Sequence, residues 1–334
     1  MRLARDGRTR RAVVTGGAGF LGSHLCERLL RDGYEVVCLD NYSSGDARNL
    51  RDLEGHAGFQ MRTCDISTHL AVPGRVDLVV HMAALASPVD YLAWPMESLQ
   101  VGSIGTLRVL EFAREKQARL VLASTSEVYG DPAVHPQTED YWGNVNPIGP
   151  RAVYDEAKRF GEAAAAAYRR LHDTDVGIIR IFNTYGPRMR TNDGRIVPSF
   201  TSQALADRPI TVHGDGRQTR SLCYVDDLIE GIVRMCHTDH PGPINLGNPE
   251  EMTVVEIAEL IKEIAGSSSP LVHGAPMTDD PSRRCPDISL AQAVLGWRPT
   301  FTARAGLERT VDWFRDRHHA GSRVRDLVRP GVRD

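Results

Sequence analysis

Short runs of consecutive apolar residues alternate along the chain with stretches in which apolar positions return every three or four residues. The runs are "RAVVT" at 11–15, "EVVCLD" at 35–40, a weaker one at 59–64, "DLVVHM" at 77–82, "RLVLA" at 119–123 and "VGIIRIF" at 176–182. Runs apolar at odd and even positions alike predict strands buried on both faces, and the periodic stretches at about 19–32, 97–116 and 151–172 predict helices between them. Strands alternating with helices predict an α/β fold, a doubly wound parallel sheet. After "NTYGPRM" the pattern loosens into loops rich in Gly, Pro and Arg, with short helices near 195–207, 225–237 and 252–265. The expected division is a first domain over 10–182 and a smaller C-terminal α/β region over 183–320, laid on the carboxyl edge of the sheet. "CYVDDLIEGIVRM" is expected to return the chain to the first domain over about 222–246. The one compositionally simple stretch, "EAAAAAY", is strong helix former.

Composition narrows the function classes. Apolar residues make up 41% and charged residues 25% of the 334 positions, ordinary for a soluble globular protein. A net charge of −3 with scattered arginines gives no general surface for nucleic acid. No apolar run reaches the roughly 18 residues of a membrane span, and the basic opening "MRLARDGRTRR" leads only into "AVV", too short for a signal-peptide core. Six cysteines, far apart and without a CxxC pair, are expected to be reduced and buried in a cytoplasmic protein with no metal site.

The first βαβ unit carries chemistry. Gly16, Gly19 and Gly22 in "TGGAGFLG" stand between a strand and a helix, where they permit a tight turn and close approach of a pyrophosphate to the helix N-terminus. Asp40 ends the second strand 18 residues after Gly22, placed to accept adenosine ribose hydroxyls and to repel a 2′-phosphate. A tight turn without a ligand is the alternative; the βαβ context favours a Rossmann domain binding NAD rather than NADP. The expected cofactor set includes Phe20 and Leu21 in the turn and Asn41, Ser43, Ser44 and Gly45 after the acid. Asp65 and Ile66 would flank the adenine, with Ala83 and Ala84 beyond the fourth strand.

Lys116, Lys158 and Lys262 are the only lysines among 40 basic residues, and Lys158 lies four positions after Tyr154 on one predicted helix. A phenol near pKa 10 is a poor base at neutral pH, and a nearby ammonium favours its ionised form. Lysine, a compact charge with three donors, can also serve cofactor ribose hydroxyls. In "LVLASTSEVYGD", Ser124, Thr125, Ser126 and Glu127 follow a buried strand, where a hydroxyl can share a substrate oxygen with Tyr154. Asn183, Arg188, Arg220 and Arg284 fall in later loops, and arginines converging there would suit a diphosphate. His81 reads as a satisfied strand-end histidine, and Trp94, Trp142, Trp297 and Trp313 as packing residues.

"TGGAGFLGSHL", "STSEVYGDP", "YWGNVNPIGPR", "YDEAKR", "RIFNTYGPRM", "GRQTRSLCYVDDL" and "NLGNPEE" together resemble the extended short-chain dehydrogenase/reductase family over about residues 10–315. Within it the chain is most similar to UDP-glucuronate decarboxylases, the UDP-xylose synthases, and to UDP-glucuronate 4-epimerases of actinobacterial antibiotic pathways. The resemblance implies that Tyr154 is the base, Lys158 its electrostatic partner and Thr125 the hydroxyl on the substrate oxygen. It sets Ser126 and Glu127 beside the sugar, Asn183, Arg220 and Arg284 on the diphosphate of the substrate UDP-glucuronate and His213 in the nucleotide loop, with Arg188 and Val197 as further substrate-binding residues. It also implies a homodimer built on the helices near 97–116 and 151–172.

All these relatives first oxidise C4; the 4-keto sugar then loses carbon dioxide or is reduced on its other face. Decarboxylases usually carry "HLASPAS" and a Lys-Thr-Asn where this chain has "HMAALAS" (81–87) and Gln100-Val101-Gly102, and a tyrosine at His213. On those departures the expected outcome is 4-epimerisation to UDP-galacturonate. Decarboxylation to UDP-xylose is the runner-up, supported by Glu127 and Arg284, and a non-catalytic NAD-binding sensor the remote alternative.

Overall fold

Alternate residues of each strand enter opposite layers. In the computed structural model, which describes residues 8–276 and 283–327 (side chains through 317), the first strand is β1 (Arg11–Thr15). Ala12 and Val14 join one apolar cluster while Val13 joins the other, and all three are fully buried. Helix α1 (Phe20–Arg31) then leads to β2 (Glu35–Asp40), β3 (Phe59–Thr63) and β4 (Leu78–His81). β2 splits its side chains in the same way, Val36 and Cys38 to one face, Val37 and Leu39 to the other. Sheets apolar on both faces need helices on both, and the chain supplies them.

Next come α2 (Pro88–Ala93), α3 (Pro95–Gln100), a π turn over Val101–Gly105, α4 (Thr106–Lys116), β5 (Arg119–Thr125), α5 (Ala152–His172) and β6 (Val176–Ile181). The second half adds β7 (Thr184–Tyr185), α6 (Ile196–Leu205), β8 (Ile210–His213), β9 (Thr219–Ser221), β10 (Cys223–Tyr224), α7 (Val225–Cys236), β11 (Ile244–Leu246), β12 (Glu251–Thr253), α8 (Val254–Ala265), β13 (Leu271–Gly274), α9 (Ser289–Leu295) and α10 (Ala303–Leu327). The central sheet has seven parallel strands in the order β11-β6-β5-β4-β1-β2-β3. Strand order reverses between β1 and β4, so their carboxyl ends splay apart and open a crevice there. β8 pairs with β13, β9 with β12 and β10 with β7 in two-stranded ladders over that edge.

Two expectations need correcting. The helix expected at 97–116 is interrupted by the π turn, because Gly102 and Gly105 bring the backbone hard against its neighbours: a Cβ on Gly102 would lie 2.5 Å from Ala157 Cβ in α5, and one on Gly105 3.1 Å from Ile66 Cδ1. Gly102→Ala is therefore expected to cost about 1–3 kcal/mol through overpacking, read as a fall in melting temperature. Of the tryptophans, Trp297 is buried and donates to Asp227 O at 2.8 Å, but Trp94 and Trp142 are 58% and 90% exposed and do not pack as expected. Among the described residues no helix is long and apolar enough to cross a membrane. The basic residues 1–7, and positions 277–282 of the expected second region, lie outside the described residues.

Candidate active site

The crevice holds two adjoining cavities. The smaller, about 220 Å³, is lined by Gly16, Gly19, Phe20, Leu21 and Gly22, by Asp40, Asn41, Ser43 and Ser44, and by Asp65, Ile66, Ala83 and Ala84. Gly16 has a left-handed φ of +70°, and a Cβ on Gly22 would sit 2.1 Å from Gly16 O, so both positions require glycine. Asp40 braces this turn, accepting from Ala18 N at 2.9 Å and Tyr42 N at 2.8 Å. Burial pushes its carboxyl up, and those backbone donors oppose the shift. Gly45 does not line this cavity; a Cβ there would meet Asp40 Oδ1 at 2.8 Å, so its place is to let the loop close over the acid.

Arg188 departs from expectation. A left-handed φ of +71° swings it away from Asn183 and Arg220 to the wall of the smaller cavity, where Nη2 donates to Glu27 Oε2 of α1 at 2.6 Å. Its Nη1 is buried with no hydrogen-bond partner among the described residues. A glycine turn at a helix N-terminus, a carboxylate at the end of β2 and an unsatisfied guanidinium N–H on a residue of the same cavity wall fit a dinucleotide: pyrophosphate on the turn and Arg188, ribose on Asp40.

The larger cavity, about 440 Å³, adjoins the first along Leu21, Met82, Ala84, Ala86 and Arg195. Thr125, Ser126, Glu127, Tyr154 and Lys158 line it at the ends of β5 and α5, and Asn183, Val197, His213, Arg220 and Arg284 line its far side. Lys158 Nζ donates to Ala123 O at 2.7 Å and lies 5.8 Å from the Tyr154 ring centre. Burial lowers the ammonium to about 8, with Glu162 working against the shift. Burial, then the charge of Glu127, pushes the Tyr154 phenol up, and the Thr125 hydroxyl and Arg195 pull it back. Ser124, next to Thr125, also lines the cavity and donates to Glu162 Oε1 at 2.6 Å.

Glu127 is clamped between two arginines. Arg284 donates through Nη1 to Oε1 and through Nη2 to Gly130 O at 3.0 Å, and Arg151 donates to Oε2 at 2.5 Å. Burial would raise this carboxyl, but the two guanidinium charges outweigh it and hold it down at about 2. The group is anionic at any working pH, and with its partners carries a net positive charge suited to a substrate carboxylate.

Residues 12–247 match the family described as NAD dependent epimerase/dehydratase. UDP-glucuronic acid decarboxylase 6 of Arabidopsis thaliana is 48% identical over 91% of this chain and 89% of its own. UDP-glucuronic acid decarboxylase 1 of Xenopus tropicalis is 47% identical over 92% of this chain and 72% of its own. The crystal structure of UDP-glucuronic acid 4-epimerase from Bacillus cereus, with UDP-glucuronic acid and NAD, superposes with a TM-score of 0.82 over 92% of this chain and 99% of that one, at 30% identity. The chain belongs to the NAD dependent epimerase/dehydratase family.

The relatives of this epimerase/dehydratase family member overturn the expected 4-epimerase outcome. Decarboxylases match it at 46–48% identity, the 4-epimerase structure at 30%. Of the departures that suggested epimerisation, Met82, Ala84 and His213 line the larger cavity, but Gln100 and Val101 line the smaller one alone and Gly102 packs on Ala157. Gln100, Val101 and Gly102 do not line the larger cavity, where the fate of a sugar would be set.

Three lining residues escaped the sequence reading. Tyr91 of α2 is stacked on Tyr154, rings 5.5 Å apart and 10° from parallel, with its own phenol pushed up to about 12 by burial. Nothing in "SPVDYLAWP" marks it. Arg195 borders both cavities and pairs with Asp193. Arg151 was legible, since a residue three before Tyr154 on a helix start shares its face.

Proposed function

We propose that this NAD-dependent enzyme is a UDP-glucuronate decarboxylase that forms UDP-xylose. The observation that carries the reading is the 47–48% identity to decarboxylases over nine-tenths of the chain, with the Glu127, Arg284 and Arg151 cluster on the cavity wall beside Tyr154. On this reading Tyr154 takes the C4 hydroxyl proton, with Thr125 sharing the oxygen and Lys158 favouring the phenolate. When bound, NAD would supply a reversible hydride acceptor for C4, which makes the cycle redox-neutral. A ketone at C4 stands β to the carboxylate, and carbon dioxide leaves most readily when the breaking bond is perpendicular to the ketone plane. Its electron pair passes into the C4 enolate, and C5 then takes up a proton.

The arginine-rich cluster would hold the carboxylate out of the ring plane, while Tyr154 and Thr125 meet the oxygen where enolate charge collects. Asn183, Arg220, Val197 and His213 would hold UDP, and Arg188 moves to the NAD pyrophosphate. The two chain regions, 10–182 with its return and 183–320, would divide the cofactor and UDP-sugar between them. A homodimer is part of this proposal, with exposed Ile104, Leu107 and Phe160 on the helices that would pair. Incubation with UDP-glucuronate tests it: a UDP-pentose, lighter by one carbon dioxide, is expected, and a product of unchanged mass sinks it.

A further inference from the structure

His81 ends β4 beneath the smaller cavity, 2% exposed, and its two ring nitrogens reach two different elements. Nδ1 lies 2.7 Å from Thr15 Oγ1, at the end of β1 one residue before the glycine turn. Nε2 lies 3.0 Å from Thr106 Oγ1, the first residue of α4 after the π turn. Thr15 Oγ1 also accepts from Ala83 N at 3.4 Å. One imidazole thus links the three walls of that cavity: the glycine turn, the Ala83–Ala84 backbone, and the π-turn segment carrying Gln100 and Val101.

The proton arrangement follows from counting donors. Burial, helped by the charge of Lys158, keeps the ring neutral, lowering it to about 3, so it has one N–H and one bare nitrogen. One threonine hydroxyl therefore donates to the bare nitrogen and the other accepts the ring N–H, so both nitrogens are engaged in either tautomer.

We propose that His81, held neutral between Thr15 and Thr106, is a positioning residue for NAD that sets the spacing of the three cofactor walls. It touches neither cofactor nor substrate and acts through Thr15, Thr106 and Ala83. The inference rests on the cofactor, which decarboxylase and epimerase readings share, so it survives if the product assignment fails.

Thr106→Val removes one hydroxyl at nearly constant shape. NAD affinity of the cofactor-stripped protein is expected to weaken about tenfold, the worth of one buried hydrogen bond. UDP affinity is expected to stay within about twofold, and Thr106→Ser to restore NAD affinity, which a merely structural role would not separate. Unchanged NAD affinity in the valine variant, or an equal loss of UDP affinity, overturns the proposal. In the unmodified protein, ¹⁵N-histidine NMR is expected to show His81 as a neutral ring with resonances that move when NAD but not UDP is added. A ring indifferent to NAD overturns the proposal even if the valine variant does not fold.

Discussion

Tyr154→Phe is expected to lower turnover of UDP-glucuronate at least about 10³-fold, in the range lost with a positioned general base. The side chain is buried at the start of α5, stacked on Tyr91, and phenylalanine keeps the ring and that stacking. Melting temperature, NAD content and UDP affinity should therefore stay close to those of the unmodified protein. The loss should appear in kcat rather than KM, because the missing oxygen acts on the proton in flight and not on the nucleotide. Stopped-flow absorbance at the reduced-nicotinamide band reads the first half-reaction directly. Normal NADH formation in this variant would remove Tyr154 from the assigned role.

Glu127→Gln should be as damaging, for a different reason. The amide keeps the shape but removes the anion between Arg284 and Arg151, whose side chains are 4% and 17% exposed. Two buried cations would lose their shared partner, at a cost of about 3–5 kcal/mol in stability. The cluster would also lose its geometry beside the sugar, and release of carbon dioxide should fall about 10²- to 10³-fold, as when one preorganised electrostatic group is removed. Assays below the lowered melting temperature separate the two effects. Unimpaired carbon dioxide release from folded Glu127→Gln would show that the clamp has no part in the chemistry.

The two variants probe features that were unequally visible in the sequence. Buried parallel strands advertise themselves as runs such as "LVVH" and "RLVLAST", and the glycine turn followed by Asp40 sits where cofactor chemistry requires it. Tyr154 and Lys158 were legible because both lie on one helix, and helical spacing is a local property. The Glu127 clamp was only half legible: Arg284 lies 157 residues away from Glu127, and their meeting depends on how the later loops settle over the sheet edge.

Arg188 was misplaced because its direction is set by one left-handed backbone position in "YGPRM", which residue type alone does not reveal. Gly102 misled in the opposite way. Compared with an expected asparagine it read as lost chemistry near the sugar, whereas its missing side chain is what lets the π turn lie against Ala157. Apolar periodicity does not register a single extra residue in a helical turn, so the π turn was invisible too.

The fate of the substrate carboxyl carbon tests the central claim most directly. With UDP-glucuronate carrying ¹³C in its carboxylate and no added NAD beyond that held by the protein, ¹³C NMR should show labelled bicarbonate growing in step with an unlabelled UDP-pentose. Label retained in a nucleotide hexuronate with an inverted coupling pattern at C4 would contradict the account.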